Sequence, residues 1–267
     1  MINIVENLEN AAGLFNGWSE TMIWSCIQGV MGSVYSDDKY RTAVAAIGDF
    51  CFFAGNPDIY AVKYIIENSG REYTIAVPQN ELWEKAIEEA YPDKAGKIER
   101  YAFKKYCDFD VKRLAAAVNS LGKEYTIKII DENLYNMCKA SKWSKDLVSN
   151  YKDFDNYKNN GIGYVIMHEN KIVCGASSYS SYKGGIEIEI DTREDFRERG
   201  LAYICGAKLI LECLKRNIFP SWDAHNTASA RLAEKLDYYF DYAPDASSHI
   251  RSSQPSYIAL LDSILTS

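Results

Sequence analysis

The chain has 267 residues, more than one ordinary domain and suited to two modest ones or a single two-lobed unit. Hydrophobic residues make up 47% and aromatic residues 13%, ample for a packed core. The net charge of −7 argues against nucleic acid as a partner and is compatible with a cationic small molecule.

In chain order, the first ten residues, MINIVENLEN, are acidic and lack a basic stretch, so no signal peptide is expected. Residues 1–106 read as a first lobe. Residues 5–15 and 19–28 pattern as helices, the second opening at Ser19. Residues 41–54, RTAVAAIGDFCFFA, pattern as two strands meeting at a Gly48-Asp49 turn. Gly55-Asn56-Pro57-Asp58 ends that hairpin and starts a helix to about Asn68; a strand at 72–77, a helix at 81–90 and a strand at 97–103 come next. Two strands, then helix, strand, helix, strand recur in the second half, which suggests a diverged internal duplicate. Residues 107–124 form a connection with a helix over 111–121 ending at Gly122. No long Pro/Gly/Ser linker occurs, so the lobes are expected to pack together.

A second lobe spans residues 125–267. The tract 139–158 interleaves lysines with Trp143, Tyr151 and Tyr157, a mix used on single-stranded nucleic acid. Asp146, Asp153 and Asp155 cancel the charge, so a solvated helix pair flanking a cleft is expected instead. Residues 163–168 and 171–179 read as a hairpin turning at Glu169-Asn170. Next comes IEIEIDTREDFRERGLA, residues 186–202. Ile186, Ile188 and Ile190 fall on one strand face and Glu187, Glu189 and Asp191 on the other. Leu201, Ile204, Ala207, Leu211 and Leu214 then take helical spacing. Between them lies Arg197-Glu198-Arg199-Gly200-Leu201-Ala202, R-x-x-G-x-A at a helix start. Such a start offers unpaired N–H groups and a dipole that favours an anion, and small residues let a pyrophosphate approach the backbone. A short strand at 219–225 then runs into Asn226, which can cap a helix opening at Thr227.

Strand, R-x-x-G-x-A, helix, strand, Asn and an LAEKLxY helix together resemble the GNAT superfamily of N-acetyltransferases, most specifically over residues 185–239. The resemblance implies a mixed α/β (α+β) fold: an acetyl-CoA-binding GNAT domain at 125–267 and a degenerate GNAT-like lobe at 1–106. In the family the loop holds the pyrophosphate of acetyl-CoA, which assigns Arg197, Glu198, Arg199, Gly200, Leu201 and Ala202 to that donor. The preceding strand meets the acetyl-pantetheine arm, which assigns Ile190 and Thr192. Asn226 and Ser229 match the family's Asn near the pantetheine and the adjacent helix start, where plain capping is the other reading. The first lobe's Gly55-Asn56-Pro57 lacks the Arg and the spacing, and Pro57 removes one N–H donor, so that lobe is expected to have lost the donor and to wall the substrate cleft.

Acetyl transfer to an amine needs a free base, and an alkyl amine resembles Lys with a pKa of ~10.4. Glu189 and Glu187 are the candidate general bases, with an exposed strand face as the alternative; His225 is a third candidate. Two departures from the family stand out. Ala233 occupies the place of a Tyr that many members use to protonate the leaving thiolate, with Tyr203, Tyr238, Tyr239 and Tyr257 as unranked substitutes. Asp237 replaces a Gly and would be left-handed. His168, His225, His249 and the scattered cysteines give no metal-ligand spacing, so no metal is expected. The seven cysteines lack a C-x-x-C and read as buried thiols in a reducing compartment. No apolar run approaches ~18 residues, so no membrane span is expected and the protein reads as cytoplasmic. The expected reaction is direct acetyl transfer to a primary amine of a small cationic molecule held between the lobes. A non-catalytic acyl-CoA-binding or sensing protein and acetylation of a protein amine remain alternatives, and a homodimer is left open.

Overall fold

A computed structural model describes residues 1–71, 73–241 and 257–261. The chain divides into two compact units, Met1–Arg100 with Asp245–Ser267, and Tyr101–Pro244.

The first unit runs β1 (Ile2–Ile4), α1 (Glu9–Ala12), α2 (Thr21–Ile27), β2 (Ser33–Asp37), β3 (Thr42–Ile47), β4 (Phe50–Gly55), α3 (Ile59–Glu67), β5 (Tyr73–Pro78), α4 (Glu81–Ala90) and β6 (Ala95–Ile98). β1 to β4 pair antiparallel in sequence order, and β5 runs parallel to β4 with α3 as the crossover. Gly48 turns the β3–β4 hairpin at φ +54°, as the Gly-Asp pair predicts. The expected helix over 5–15 shrinks to α1 and a 3₁₀ turn at Gly13–Phe15, and α2 starts after Glu20, without a side-chain cap from Ser19. β1 and β2 are not legible in the sequence because one has three residues and the other mixes Ser33, Ser36 and Asp37 with only two large side chains. Val62, Ile65, Trp83 and Ile87 bring α3 and α4 onto Phe53 and Ala76 of the sheet.

The second unit runs β7 (Tyr101–Ala102), α5 (Val111–Asn119), β8 (Tyr125–Ile129), α6 (Glu132–Lys139), α7 (Phe154–Asn160), β9 (Gly163–His168), β10 (Lys171–Tyr182), β11 (Gly185–Thr192), α8 (Leu201–Lys215), β12 (Phe219–Ser221), β13 (Asp223–Ala224) and α9 (Thr227–Lys235). Its main sheet has the order β12-β11-β10-β9-β8, antiparallel except for β11 beside β12. Glu169 and Asn170 both take positive φ, 47° and 63°, which a two-residue hairpin requires. α8 lies across this sheet and buries Ile204, Cys205, Leu209 and Ile210 against Ile186 and Ile188. The strand expected over 97–103 is interrupted between Ile98 and Tyr101, and its second piece, β7, pairs antiparallel with β13. Phe103 bridges Phe240 on the other side.

The last described strand, β14 (Tyr257–Leu261), lies in the first unit's sheet, antiparallel to both β5 and β6. By chain order it falls in the range 125–267 expected for the second lobe. The position of β14 between β5 and β6 matches that of β7 between β13 and Phe240. Each unit therefore takes this strand from the stretch of chain that comes after the other unit's last described helix. The run YIALL is simply apolar, and nothing in its pattern says which sheet receives it. No helix among the described residues is long and apolar enough to cross a membrane.

Ile258, the second residue of this inserted strand, is 0% exposed. Replacing it with Ala is expected to cost about 2–5 kcal/mol in urea denaturation. A loss below ~0.5 kcal/mol, in the range of ordinary surface changes, would show that β14 is not held in the sheet.

Candidate active site

β11 carries its isoleucines toward α8 and its carboxylates on the opposite face. That second face is not the exposed one its charge suggests: Glu187 is only 4% exposed, and Glu189 and Asp191 are half-buried. Opposite these carboxylates β10 places small residues, Ser180 across from Glu187, Ser177 from Glu189 and Gly175 from Asp191. The register shifts between Ser178 and Ser180, so the bulge lies in β10 at Tyr179 and β11 itself is regular. A Cβ on Gly175 would collide with Leu147, which seats the 3₁₀ turn at Lys145–Leu147 on this face.

The tract expected to form a solvated helix pair is instead anchored through its tyrosines. Tyr151 and Tyr157 are each 2% exposed. Tyr157 Oη lies 2.8 Å from Ser177 Oγ, which donates to the Ile162 carbonyl at 3.3 Å. Tyr151 Oη donates to Ser178 Oγ at 2.6 Å and lies 2.9 Å from Ser181 Oγ, and Ser178 Oγ also accepts from the Ile162 amide at 3.0 Å. Burial pushes the Tyr151 phenol up to about 12, so it stays a donor at neutral pH.

The pairing of β11 with β12 covers Gly185, Ile186 and Glu187 and ends at Glu187 opposite Ser221. Beyond Ser221 the chain turns away, and β13 pairs with β7 instead. Residues 188–192 therefore have no neighbouring strand on that side among the described residues. The Arg193 amide donates to the Val173 carbonyl at 2.9 Å, and Cys174 stands opposite Thr192. Antiparallel alternation then turns the main-chain groups of Ile188, Ile190 and Thr192 toward the open edge. An extended ligand with amides could add there as an extra strand would.

That edge runs into the start of α8. Gly200 is left-handed at φ +75°, and a Cβ there would meet nothing within 4 Å, so backbone conformation selects glycine and the space beside it is open. Among the described residues, side chains cap the six other helices from α3 onward, through Asp58, Asn80, Asp110, Asp131, Asp153 and Asn226. The 15-residue α8 has no side-chain cap. Around its bare amides stand Arg197, whose Nε reaches the Thr192 carbonyl at 3.4 Å, and Arg199, whose Nη2 donates to the Asp195 carbonyl at 2.8 Å. The Arg193 and Arg199 guanidinium carbons lie 4.6 and 4.5 Å from the ring centre of buried Phe196, and Arg193 also pairs with Asp195. Uncapped amides, an aligned dipole and nearby guanidiniums make an anion site.

A family model described as GNAT acetyltransferase matches residues 12–245. The chain belongs to the GNAT acetyltransferase family. It is similar to the uncharacterized N-acetyltransferase YdfB of Bacillus subtilis, 27% identical over 231 residues, which are 82% of this chain and 86% of that protein. It is also similar to the crystal structure of a GCN5-related N-acetyltransferase-like protein from Streptococcus suis, with 42% identity, a TM-score of 0.85 and coverage of 96% and 99% of the two chains. A tandem GNAT protein from the clavulanic acid biosynthesis pathway shares the fold at 10% identity, with a TM-score of 0.52 and 98% of each chain covered. The protein is thus a GNAT-type N-acetyltransferase with mixed sheets.

The remaining residues named from the sequence divide by what occupies them. The Thr192 amide donates to Asp191 Oδ1 at 2.7 Å and its hydroxyl to Cys174 Sγ at 3.2 Å, so both are engaged locally. Asn226 Oδ1 accepts from the Ser229 amide at 2.8 Å, capping α9, and Ser229 Oγ accepts from Trp222 Nε1 at 3.3 Å. His225 is exposed, 2.8 Å from Asn226 Nδ2. Ala233 is 0% exposed within the core, so nothing polar stands at the GNAT tyrosine position. Tyr238 is buried and donates to the Pro220 carbonyl at 2.7 Å, Tyr203 is half-buried on α8, Tyr239 is exposed, and Tyr257 belongs to β14 of the first unit. Asp237 is left-handed at φ +73°, and its carboxylate pairs with Arg113 and accepts from the Asp110 amide at 3.0 Å, which offsets the strain. No group able to hold a metal occurs among the described residues, and His249 lies outside them. Lys105 escapes sequence reasoning: its Nζ donates to Ser221 Oγ at 2.9 Å, and a lone lysine between patterned elements carries no signal in the sequence.

The first unit repeats the parallel pair but not the opening. β4 and β5 stay paired through Phe53 opposite Pro78, and the Gln79 amide donates to the Phe53 carbonyl at 3.0 Å. Asp58 occupies the α3 amides, accepting from Tyr60 N and Ala61 N. Trp83 Nε1 donates to the Gly55 carbonyl at 2.9 Å, and the Gly55 amide donates to the Gln79 side chain at 3.0 Å.

Asp191 yields a pH-dependent prediction. Desolvation raises its carboxyl pKa above the ordinary value; the Thr192 amide and Arg197 oppose this, and Asp146 adds to it. Ionised Asp191 therefore disfavours folding, and the penalty grows as pH rises from the unfolded value of ~3.9 through the higher folded one. Asp191→Asn, which keeps the acceptor for Thr192, is expected to raise the denaturation midpoint at pH 7, with the gain vanishing by about pH 4. An equal gain at both pH values would refute the electrostatic account.

Proposed function

We propose that the second unit transfers the acetyl group of acetyl-CoA directly to a primary amine of a small cationic molecule. The observation that carries this reading is the unpaired edge of β11 running into the uncapped, glycine-started helix α8. The amides of Gly200, Leu201 and Ala202, with Glu198 in the turn and Arg197 and Arg199 beside it, would hold the pyrophosphate. Ile188 and Ile190 would pair through their main chain with the pantetheine amides, and Thr192, whose amide and carbonyl are taken by Asp191 and Arg197, would border the arm by contact alone. Asn226 and Ser229 keep the donor's side of α9 in place through its cap. Acetyl-CoA supplies the activated acyl group and a thiol that leaves readily.

The acceptor must be deprotonated, since an alkyl ammonium titrates near ~10.4. Glu187 and Glu189 are the candidate bases. Glu187 stands at the rung where the strands part, and Glu189 lies two residues along the same face. Together with Asp191 they form a row of carboxylates that suits a cation, as does the net charge of −7. The first unit reads as a diverged duplicate without donor binding: its strands do not part, Asp58 fills its helix start and Pro57 removes a donor. All seven cysteines are free thiols, six of them buried, which fits a reducing cytoplasm.

Calorimetry with acetyl-CoA is expected to give micromolar binding to the wild type and none to folded Gly200→Glu. Unaltered affinity in that variant would sink the pyrophosphate assignment. With small amines as acceptors and thiol release as the readout, Glu187→Gln or Glu189→Gln is expected to lower kcat about 10²–10⁴-fold, whichever is the base. Undiminished rates in both would overturn the base assignment, and turnover with neutral amines alone would overturn the cationic acceptor.

A further inference from the structure

Breaking the thioester leaves negative charge on the coenzyme's sulfur, and Ala233 leaves the usual position without a donor. We infer that Lys105 supplies the positive charge that stabilises the departing thiolate; the inference rests on the acetyl-CoA reading above.

The strand β7 is what brings Lys105 there. Tyr101 stands opposite Ala224 and Ala102 opposite Asp223, so the chain after β7 runs back along Trp222 toward Ser221. The Phe103–Phe240 bridge and the Lys104 amide, which donates to the Tyr239 carbonyl at 2.9 Å, fasten this stretch on its other side. The Lys104 side chain leaves toward the Tyr106 ring, 5.5 Å from its centre. Lys105 is the one that arrives at Ser221, its Nζ donating to Ser221 Oγ at 2.9 Å. Ser221 is fully buried and stands opposite Glu187 on the last rung that β11 and β12 share. Adjacent strands lie ~4.8 Å apart, so the residue that holds the ammonium neighbours the last paired residue of β11, beside the point where the strands part and where a thioester admitted between them would end.

The tyrosines give no better candidate. Tyr238 has committed its hydroxyl to Pro220, Tyr239 is exposed and Tyr203 lies along α8.

In the transfer step the amine nitrogen bonds to the acetyl carbon, the C–S bond breaks, and its electron pair goes to sulfur. The surplus proton on nitrogen passes to the Glu187 or Glu189 carboxylate. Lys105 is assigned no proton transfer in this step and acts as a fixed positive charge. The thiolate takes a proton from water on leaving.

The test titrates the thiol of CoA itself, bound at saturation, by thiolate ultraviolet absorbance against a desulfo-CoA blank that removes the protein's own cysteines. On the wild type the bound thiol is expected to ionise at least about one pH unit below free CoA. In Lys105→Met it is expected to return to the free value, with desulfo-CoA affinity unchanged and kcat about 10²-fold lower. Lys105→Arg is expected to keep most of the shift. If CoA binds and its thiol titrates alike in the wild type and Lys105→Met, the role of Lys105 is overturned while the acetyl-CoA reading stands. If CoA does not bind the wild type, that reading fails first.

Discussion

The second unit depends on the separation of β11 from β12 after one short stretch of parallel pairing. Unpaired backbone groups on a strand edge are costly to bury and a liability when left open. Three features sustain the opening here. α8 packs Ile204, Cys205 and Leu209 against Ile186 and Ile188, so β11 is held from one face without needing β12 beyond Glu187. β13 satisfies its own hydrogen bonds with β7 instead of β11. The bulge at Tyr179 lets β10 track β11 to its end while changing which β10 residues face the carboxylates.

The first unit shows what the same order of elements does when the opening is not sustained. Its parallel strands stay together to the end of β5, and Gln79 and Trp83 satisfy the backbone of Gly55 at the end of β4. Its crossover helix α3 is capped by a carboxylate, which neutralises the end that could attract an anion. The contrast between Asp58 and Gly200 at two equivalent helix starts is a difference of sign: one position brings a negative charge, the other leaves room for one.

The elements legible in the sequence are those whose cause is local. The alternation of residues 186–191, the Glu169-Asn170 turn, the Asn226 cap and the left-handed Asp237 each arise from a residue type acting on its own backbone. Gly200 is legible for the same reason, because its conformation and the bare amides after it are set within one helical turn. The burial of Glu187, the bulge in β10, the anchoring of Tyr151 and Tyr157 and the placing of β7 and β14 are not legible. Each is decided by a partner far along the chain, and period-2 patterning says which residues share a face without saying what covers it.

The strand exchange ties these non-local features to the chemistry. In the second unit the inserted strand is only two residues long and contributes little pairing of its own. The segment after it matters more, because antiparallel travel along Trp222 delivers Lys105 to the rung shared by Ser221 and Glu187. A lysine on α9, where Ala233 lies sealed in the core, would have to bury its ammonium among apolar side chains, an unfavourable transfer without a partner. Entering from β7 instead, the same charge meets the buried Ser221 hydroxyl as a ready acceptor, on the rung that carries Glu187. The absence of a tyrosine on α9 and the presence of a cation on the inserted segment are thus two sides of one arrangement, in which the polar group at the opening comes from the strand rather than the helix.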